Sequence, residues 1–321
     1  MDHPLAVKEP TGSTPARAPG SVRRSSHIDM LWGADGRLTI EAGARDVVDD
    51  GVVAAGRVRA GIGAANRVEW IETDPVLGGA DGLVGLSASA GFRAATRRLM
   101  SGRGDEPLGL LLDDLPVAVL ISGYAMLRSG AISGPVGPRD DPAGRMRDLC
   151  SGWRSGGTMI ASLERGEGVP VPQLAPAPDL SRDDDPLAIE DLADLPIGSL
   201  RRRRRIDVMA GEPVAVEASF RDSFQGPEGE GVLHEYVVRA TCDRDGRLLS
   251  VEAEPRVLPW VECPAAAAHV ADLVGASAAD LGRLVPATLT GLSSCTHLND
   301  LLRSLSCLPR LIGLRPGGPT A

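Results

Sequence analysis

The chain has 321 residues, only 3% of them aromatic, and a formal net charge of −9. That length leaves room for two domains whose cores rest on Leu, Val and Ala. The acidic balance excludes a general nucleic-acid binder, which needs positive charge over its docking face.

Residues 1–20 are rich in Pro, Gly, Ser and Thr, a composition that predicts disorder. They open M-D-H-P with no hydrophobic signal core, so the expected compartment is cytoplasmic, with reduced thiols. At Ser21 begins a pattern that the chain contains twice. S-V-R-R-S-S-H-I-D-M from Ser21 is in step with S-L-R-R-R-R-R-I-D-V from Ser199, and L-T-I-E-A-G-A-R-D from Leu38 with V-A-V-E-A-S-F-R-D from Val214. Val58–Pro75 meets Val238–Pro255 without a gap, pairing Arg59 with Arg239 and Glu72 with Glu252. A repeat sets the architecture before any local reading does.

The first copy spans 21–140. Its apolar stretch Leu108–Leu127 is broken by Asp113 and Asp114 and reads as a buried helix rather than a membrane span. A connector at 141–198 carries prolines and the acidic run Asp183–Asp185. The second copy, 199–313, predicts strands over 206–209, 214–220, 232–241 and 248–257, with a hairpin turn at D-R-D-G (Asp243–Gly246). After Pro264 the period turns helical over 265–274, 278–289 and 296–306. A Pro/Gly tail, 314–321, ends the chain. The fold class is therefore α+β by internal duplication: each copy is an antiparallel meander of about four strands followed by helices on one face, and the copies pack as an internal pseudo-dimer.

Comparing the copies locates candidate chemistry. The second holds L-H-E-Y (His234, Glu235), W-V-E-C-P (Glu262, Cys263) and S-S-C-T-H-L-N-D (Cys295, His297, Asp300). The first has Ala54 against His234 and apolar residues near the two thiol positions. A residue needed only for the fold survives more often in both copies. Cys263 and Cys295 each open a helix, where the dipole favours thiolate. Thiolate plus imidazole suits zinc or iron–sulfur chemistry, so the candidate metal ligands are Cys263, Cys295, His297 and His234, with Glu235, Glu262 and Asp300 behind them. Each residue taken alone also fits packing, as buried thiols usually do. Cys150, in D-L-C-S-G-W of the connector, is a further thiol whose spacing does not assign it. The run Arg201–Arg205 is not a nucleic-acid patch on this reading, because a strand sends alternate residues to opposite faces.

Ala253–Ala267, with L-H-E-Y before it and Ser294–Leu302 after it, resembles an uncharacterised bacterial family of unknown function. The resemblance extends to S-V-R-R near residue 21 and to Asp148–Gly157. More distantly, the order of hairpin, strand, Cys at a helix start, Ala-rich helix, L-V-G-A-S-A-A-D-L and second Cys at a helix start is similar to iron–sulfur scaffold proteins of the NifU/IscU type. That likeness covers roughly 233–306 and implies that Cys263 and Cys295 fall on two cluster-ligand positions, with His234 near a third. It departs from the family in lacking Gly-Cys-Gly and in carrying Ser294 before Cys295.

Three functions remain open from these residues: metal or sulfur handling in the second copy, a thiol-dependent enzyme with His297 or His234 as base, and a non-catalytic binding or assembly module with structural cysteines. The partner is accordingly a protein or a small molecule, with neither nucleic acid nor membrane.

Overall fold

Two antiparallel meanders meet edge to edge, and their seam positions everything else in the computed structural model, which describes residues 6–89, 91–131, 144, 146–182 and 184–317. Parts of the expected leader, connector and tail (1–5, 141–143, 145, Asp183 and 318–321) lie outside the described residues. The first meander consists of β2 (Val22–Trp32), β3 (Leu38–Val48), β4 (Gly51–Ile62) and β5 (Val68–Asp74). The second consists of β7 (Leu200–Val208), β8 (Val214–Gly226), β9 (Gly229–Cys242) and β10 (Leu248–Leu258). Antiparallel pairing of β2 with β7 joins them in the order β1-β10-β9-β8-β7-β2-β3-β4-β5. The short β1 (Ala6–Val7) edges β10, and β6 (Ala175–Pro176) pairs with β9. This is an α+β fold built on one large antiparallel sheet.

Side-chain alternation assigns the two faces. Even-numbered residues such as Ile28, Met30, Ile40, Ala42, Ala218, Phe220, Tyr236 and Val238 point into the apolar cores beneath the helices. Over the first meander lie α1 (Phe92–Leu99) and α2 (Pro107–Arg128). Over the second lie α4 (Leu281–Thr288), α5 (Thr296–Ser304) and α6 (Leu308–Gly313), while α3 (Thr158–Glu164) belongs to the connector. By length and composition α2 could cross a membrane, yet most of it is buried against the sheet and its neighbours. Its two aspartates turn toward the second half: Asp114 pairs with Arg204 at 3.0 Å, and Asp113 with Arg303 of α5.

The strand run through five consecutive arginines is the least expected element, since the apolar pattern begins only at Ile206. It forms because both faces supply carboxylates. Arg202 and Arg204 pair on the helix side with Asp222 and Asp114; Arg201 and Arg205 pair on the other with Asp29 and Glu217. The seam is reciprocal: Arg23 of β2 forks onto Asp207 of β7, and Arg201 of β7 onto Asp29 of β2, with Ser26 facing Arg204 between them. On this odd-numbered face the centre is covered by chain rather than helix. Ala188 and Ala193 accept from Arg23 and Arg201 through their carbonyls, Thr11 donates its backbone N–H to Glu235, and Arg17 pairs with Asp185. Residues 6–20, where composition suggests little structure, lie along the sheet through these contacts.

The expected helix at 265–274 is instead a 3₁₀ run, Cys263–Leu273. The Asp243–Gly246 turn forms as read, with Gly246 at φ 80°, a conformation that glycine adopts without strain.

Candidate functional site

Asp222 of β8 is wholly buried and faces Arg202 across the β7–β8 ladder. The guanidinium grips both its oxygens, Nε to Oδ1 at 2.6 Å and Nη2 to Oδ2 at 2.9 Å, the strong fork geometry. Burial works against both charges. The Arg202 guanidinium nonetheless keeps Asp222 well below the carboxylate range, and Asp222, with Asp114 and Asp300, raises Arg202 above its ordinary value.

Directly opposite Asp222 on β9 is His234, whose Nδ1 lies 3.2 Å from Asp222 Oδ2. This nitrogen is buried and, despite that distance, makes no aligned hydrogen bond. From the other side comes His297 of α5, Nδ1 3.6 Å from the same oxygen, its ring stacked on His234 with centroids 3.8 Å apart. Helical spacing puts His297 and Asp300 on one face of α5, so Asp300 reaches Arg202 at 3.5 Å and Arg93 of α1 at 2.8 Å. Burial first, then His234 and Arg202, push His297 well below the usual imidazole value, against the pull of Asp222. His297 is therefore neutral, and since a guanidinium only donates, its Nδ1 accepts from Arg202 Nη2 at 3.3 Å. Phe220 closes the floor, 4.9 Å under the Arg202 guanidinium. The donor atoms of Asp222, His234 and His297 all lie within 4.8 Å of one another.

Of the expected metal ligands the structure thus brings His234 and His297 together. Cys263 and Cys295 are not in that group. They sit in the second core near Tyr236, whose hydroxyl donates to the Cys263 carbonyl, and Cys150 approaches from the connector. The approach is close enough to require glycine at 152: a Cβ there would lie 2.9 Å from Cys263 Sγ and 3.9 Å from Cys150 Sγ. Ser151 fastens the connector by donating its N–H to the Ser294 carbonyl and its hydroxyl to that of Leu292. The thiolate expected at the two helix starts does not form. Burial dominates, pushing Cys295 up to about 11 and Cys263 well above its ordinary value. All five cysteines are free.

The three residues expected behind the ligands separate. Asp300 joins the imidazole site through Arg202. Glu235 points to the opposite face, paired with Arg221 at 2.6 Å, and Glu262 accepts from the N–H and hydroxyl of Thr158. Sequence reasoning missed Asp222, Arg202 and Asp114. Asp222 was visible in R-D, but presence in both copies marked it as scaffold.

Residues 200–309 match a family model described as a protein of unknown function (DUF2889). The span contains Arg202, Asp222, His234, His297 and Asp300, and it fits the resemblance to an uncharacterised family; it brings no likeness to iron–sulfur scaffold proteins. No curated protein and no solved structure matches the chain.

Proposed function

We propose that this protein binds a divalent first-row transition metal, zinc or iron(II) in class, through His234, His297 and Asp222. The observation that carries this reading is the buried His234 Nδ1, which has no aligned partner and lies 3.2 Å from a carboxylate oxygen, with a second, neutral imidazole beside it. Donor atoms around a tetrahedral ion with bonds of about 2.0–2.1 Å are roughly 3.3 Å apart, close to the 3.2 and 3.6 Å spacings here. Two imidazoles and a carboxylate are a ligand set for zinc and non-haem iron. Because the rings are stacked, one must turn for both lone pairs to meet a shared ion. Arg202 holds Asp222 in place, as the hydrogen-bonding partners of ligating carboxylates do. The set keeps the histidines and takes Asp222 in place of the thiols, which argues against an iron–sulfur cluster at this position.

The first half serves as the scaffold against which this site is held, and the two halves derive from one duplicated unit. The 178-residue offset supports this by relating the reciprocal pairs Arg23–Asp207 and Arg201–Asp29. Free, protonated thiols are in keeping with a cytoplasmic protein. A second reading, a purely structural charge network in an assembly module, is favoured by the Arg202 fork that already occupies both Asp222 oxygens.

Zinc and cobalt(II) titration of metal-free protein, followed by calorimetry and cobalt absorption, separates the two. About one equivalent is expected in the wild type and in C263S/C295S, and loss of at least tenfold in affinity in H234A and in H297A. Absence of binding in the wild type would overturn the proposal in favour of the structural network, and stoichiometric binding that ignores both histidines would overturn it by placing the metal elsewhere.

A further inference from the structure

Of the five arginines 201–205, four engage carboxylates, and Arg203 does not: among the described residues it has no ion-pair partner and no hydrogen bond to protein. Its neighbours make this unusual. On its own strand it lies between Arg201 and Arg205, across the ladders it faces Arg221 on β8 and His27 on β2, and it is largely buried. Burial first, then Arg201, lower its pKa, with Glu230 and Asp29 pulling the other way. Most nearby carboxylates are already engaged by cations; among the described residues Glu230 forms no ion pair and accepts only the Ser223 hydroxyl. Asp29 is held by Arg201; Glu235 by Arg221 and the Thr11 N–H; Glu217 by Arg205 and Arg239; and Glu190 lies 2.9 Å from His27 Nδ1. The Arg203 guanidinium is therefore left without a direct carboxylate partner among the described residues, although the Glu230 charge acts on it from nearby.

That guanidinium lines a cavity of about 60 Å³ between the sheet and its covering chain. A volume of that size admits only a compact ligand of a few heavy atoms, since one water takes about 30 Å³ in the liquid. Its donors are Arg203, Arg205 and Arg221 with the hydroxyls of Ser25 and Ser219; the rest of the wall is mostly apolar, with the carboxylates of Glu190 and Glu235 already engaged by His27 and Arg221. The cavity shares Thr11, Ser13 and Arg205 with a neighbouring pocket of about 280 Å³. We propose that this cavity binds a small tetrahedral oxyanion, either free phosphate or the phosphoryl group of a small molecule whose body occupies the neighbouring pocket. A planar fork with five donors and no internal partner is the side chain best matched to such oxygens. The site lies on the face opposite the histidines and does not depend on the metal reading.

The test is calorimetric titration of metal-free protein with inorganic phosphate, sulfate and glycerol phosphate at matched ionic strength, on the wild type, R203Q and R203K. One phosphate site is expected in the wild type, weakened at least tenfold in R203Q and less in R203K, which keeps charge but loses the fork. H234A should bind phosphate as the wild type does. Because Arg203 has no internal partner to lose, R203Q should unfold no earlier than the wild type without anion, which separates lost binding from lost fold. Tighter binding of glycerol phosphate assigns the ligand to an organic phosphoryl group, and equal or weaker binding to the free anion. The proposal falls if phosphate acts no differently from chloride, or if R203Q binds phosphate as the wild type does.

Discussion

Arg24 and Asp46 in the first half, and Arg202 and Asp222 in the second, are the same buried fork at sequence offsets of 178 and 176. Nε-to-Oδ1 distances are 2.6 Å in both, and both aspartates are fully buried. The residue across the next ladder differs: Ala54 faces Asp46, whereas His234 faces Asp222. Above Asp46 comes Arg310 of α6, a further cation at 3.5 Å; above Asp222 comes the neutral His297. One fork is therefore closed off by a further cation, and the other by two imidazoles. The two forks match in geometry and differ in what surrounds them.

The largest expected effect tests the shared part. Removing one partner of a buried ion pair leaves an uncompensated charge and costs about 3–5 kcal/mol. D46N and D222N should each lower stability by about that amount in denaturant unfolding. A fork that tolerates its substitution while the other fails would break the equivalence of the two halves.

The next effect tests the difference. H234A gives the second fork the residue that the first already has but removes a buried ring stacked on His297, so metal-free protein should lose about 1–3 kcal/mol, the ordinary range for a point substitution that leaves a small cavity but no orphaned charge. Saturating zinc should stabilise the wild type by about 2.7 kcal/mol at a hundredfold excess over the dissociation constant, and H234A hardly at all. Thermal unfolding with and without zinc reads both numbers. Equal zinc stabilisation of the two proteins would remove the distinction between the halves.

Much of this was legible in the chain. The strands at 214–220, 232–241 and 248–257, the Asp243–Gly246 hairpin and the buried α2 follow from period and turn chemistry, whereas the strand through the five arginines does not, because its apolar pattern begins only at Ile206. His234 and His297 emerged from asymmetry between the copies. The same criterion hid Asp222, because a residue matched in both segments looked structural, and here it is also the buried carboxylate beside both imidazoles. Asp114 and Arg204 were out of reach for another reason: their pairing crosses from α2 to the seam, a contact between residues 90 apart that no local pattern encodes. The expected thiolate character of Cys263 and Cys295 did not follow, because a helix start favours thiolate only where the group is solvated. Cys263 and Cys295 are buried in an apolar core, and desolvation outweighs the dipole.

That last point gives the smallest and most discriminating effect. With Cys295 and Cys242 pushed up to about 11 and Cys263 higher than usual, native protein should show almost no alkylation of these thiols at pH 7 to 8, measured by intact mass after iodoacetamide. The sign for stability follows from linkage. A thiol whose folded pKa is raised stays protonated in the native state while the unfolded chain ionises near 8.5. Its contribution is whole below that pH and is lost as pH rises toward 11. Unfolding free energy should therefore decline between about pH 8.5 and 11, and less steeply in C263S/C295S. Rapid alkylation of a single one of these cysteines at neutral pH would instead point to a solvated thiolate and move the chemistry of the second half from its imidazoles to its sulfur.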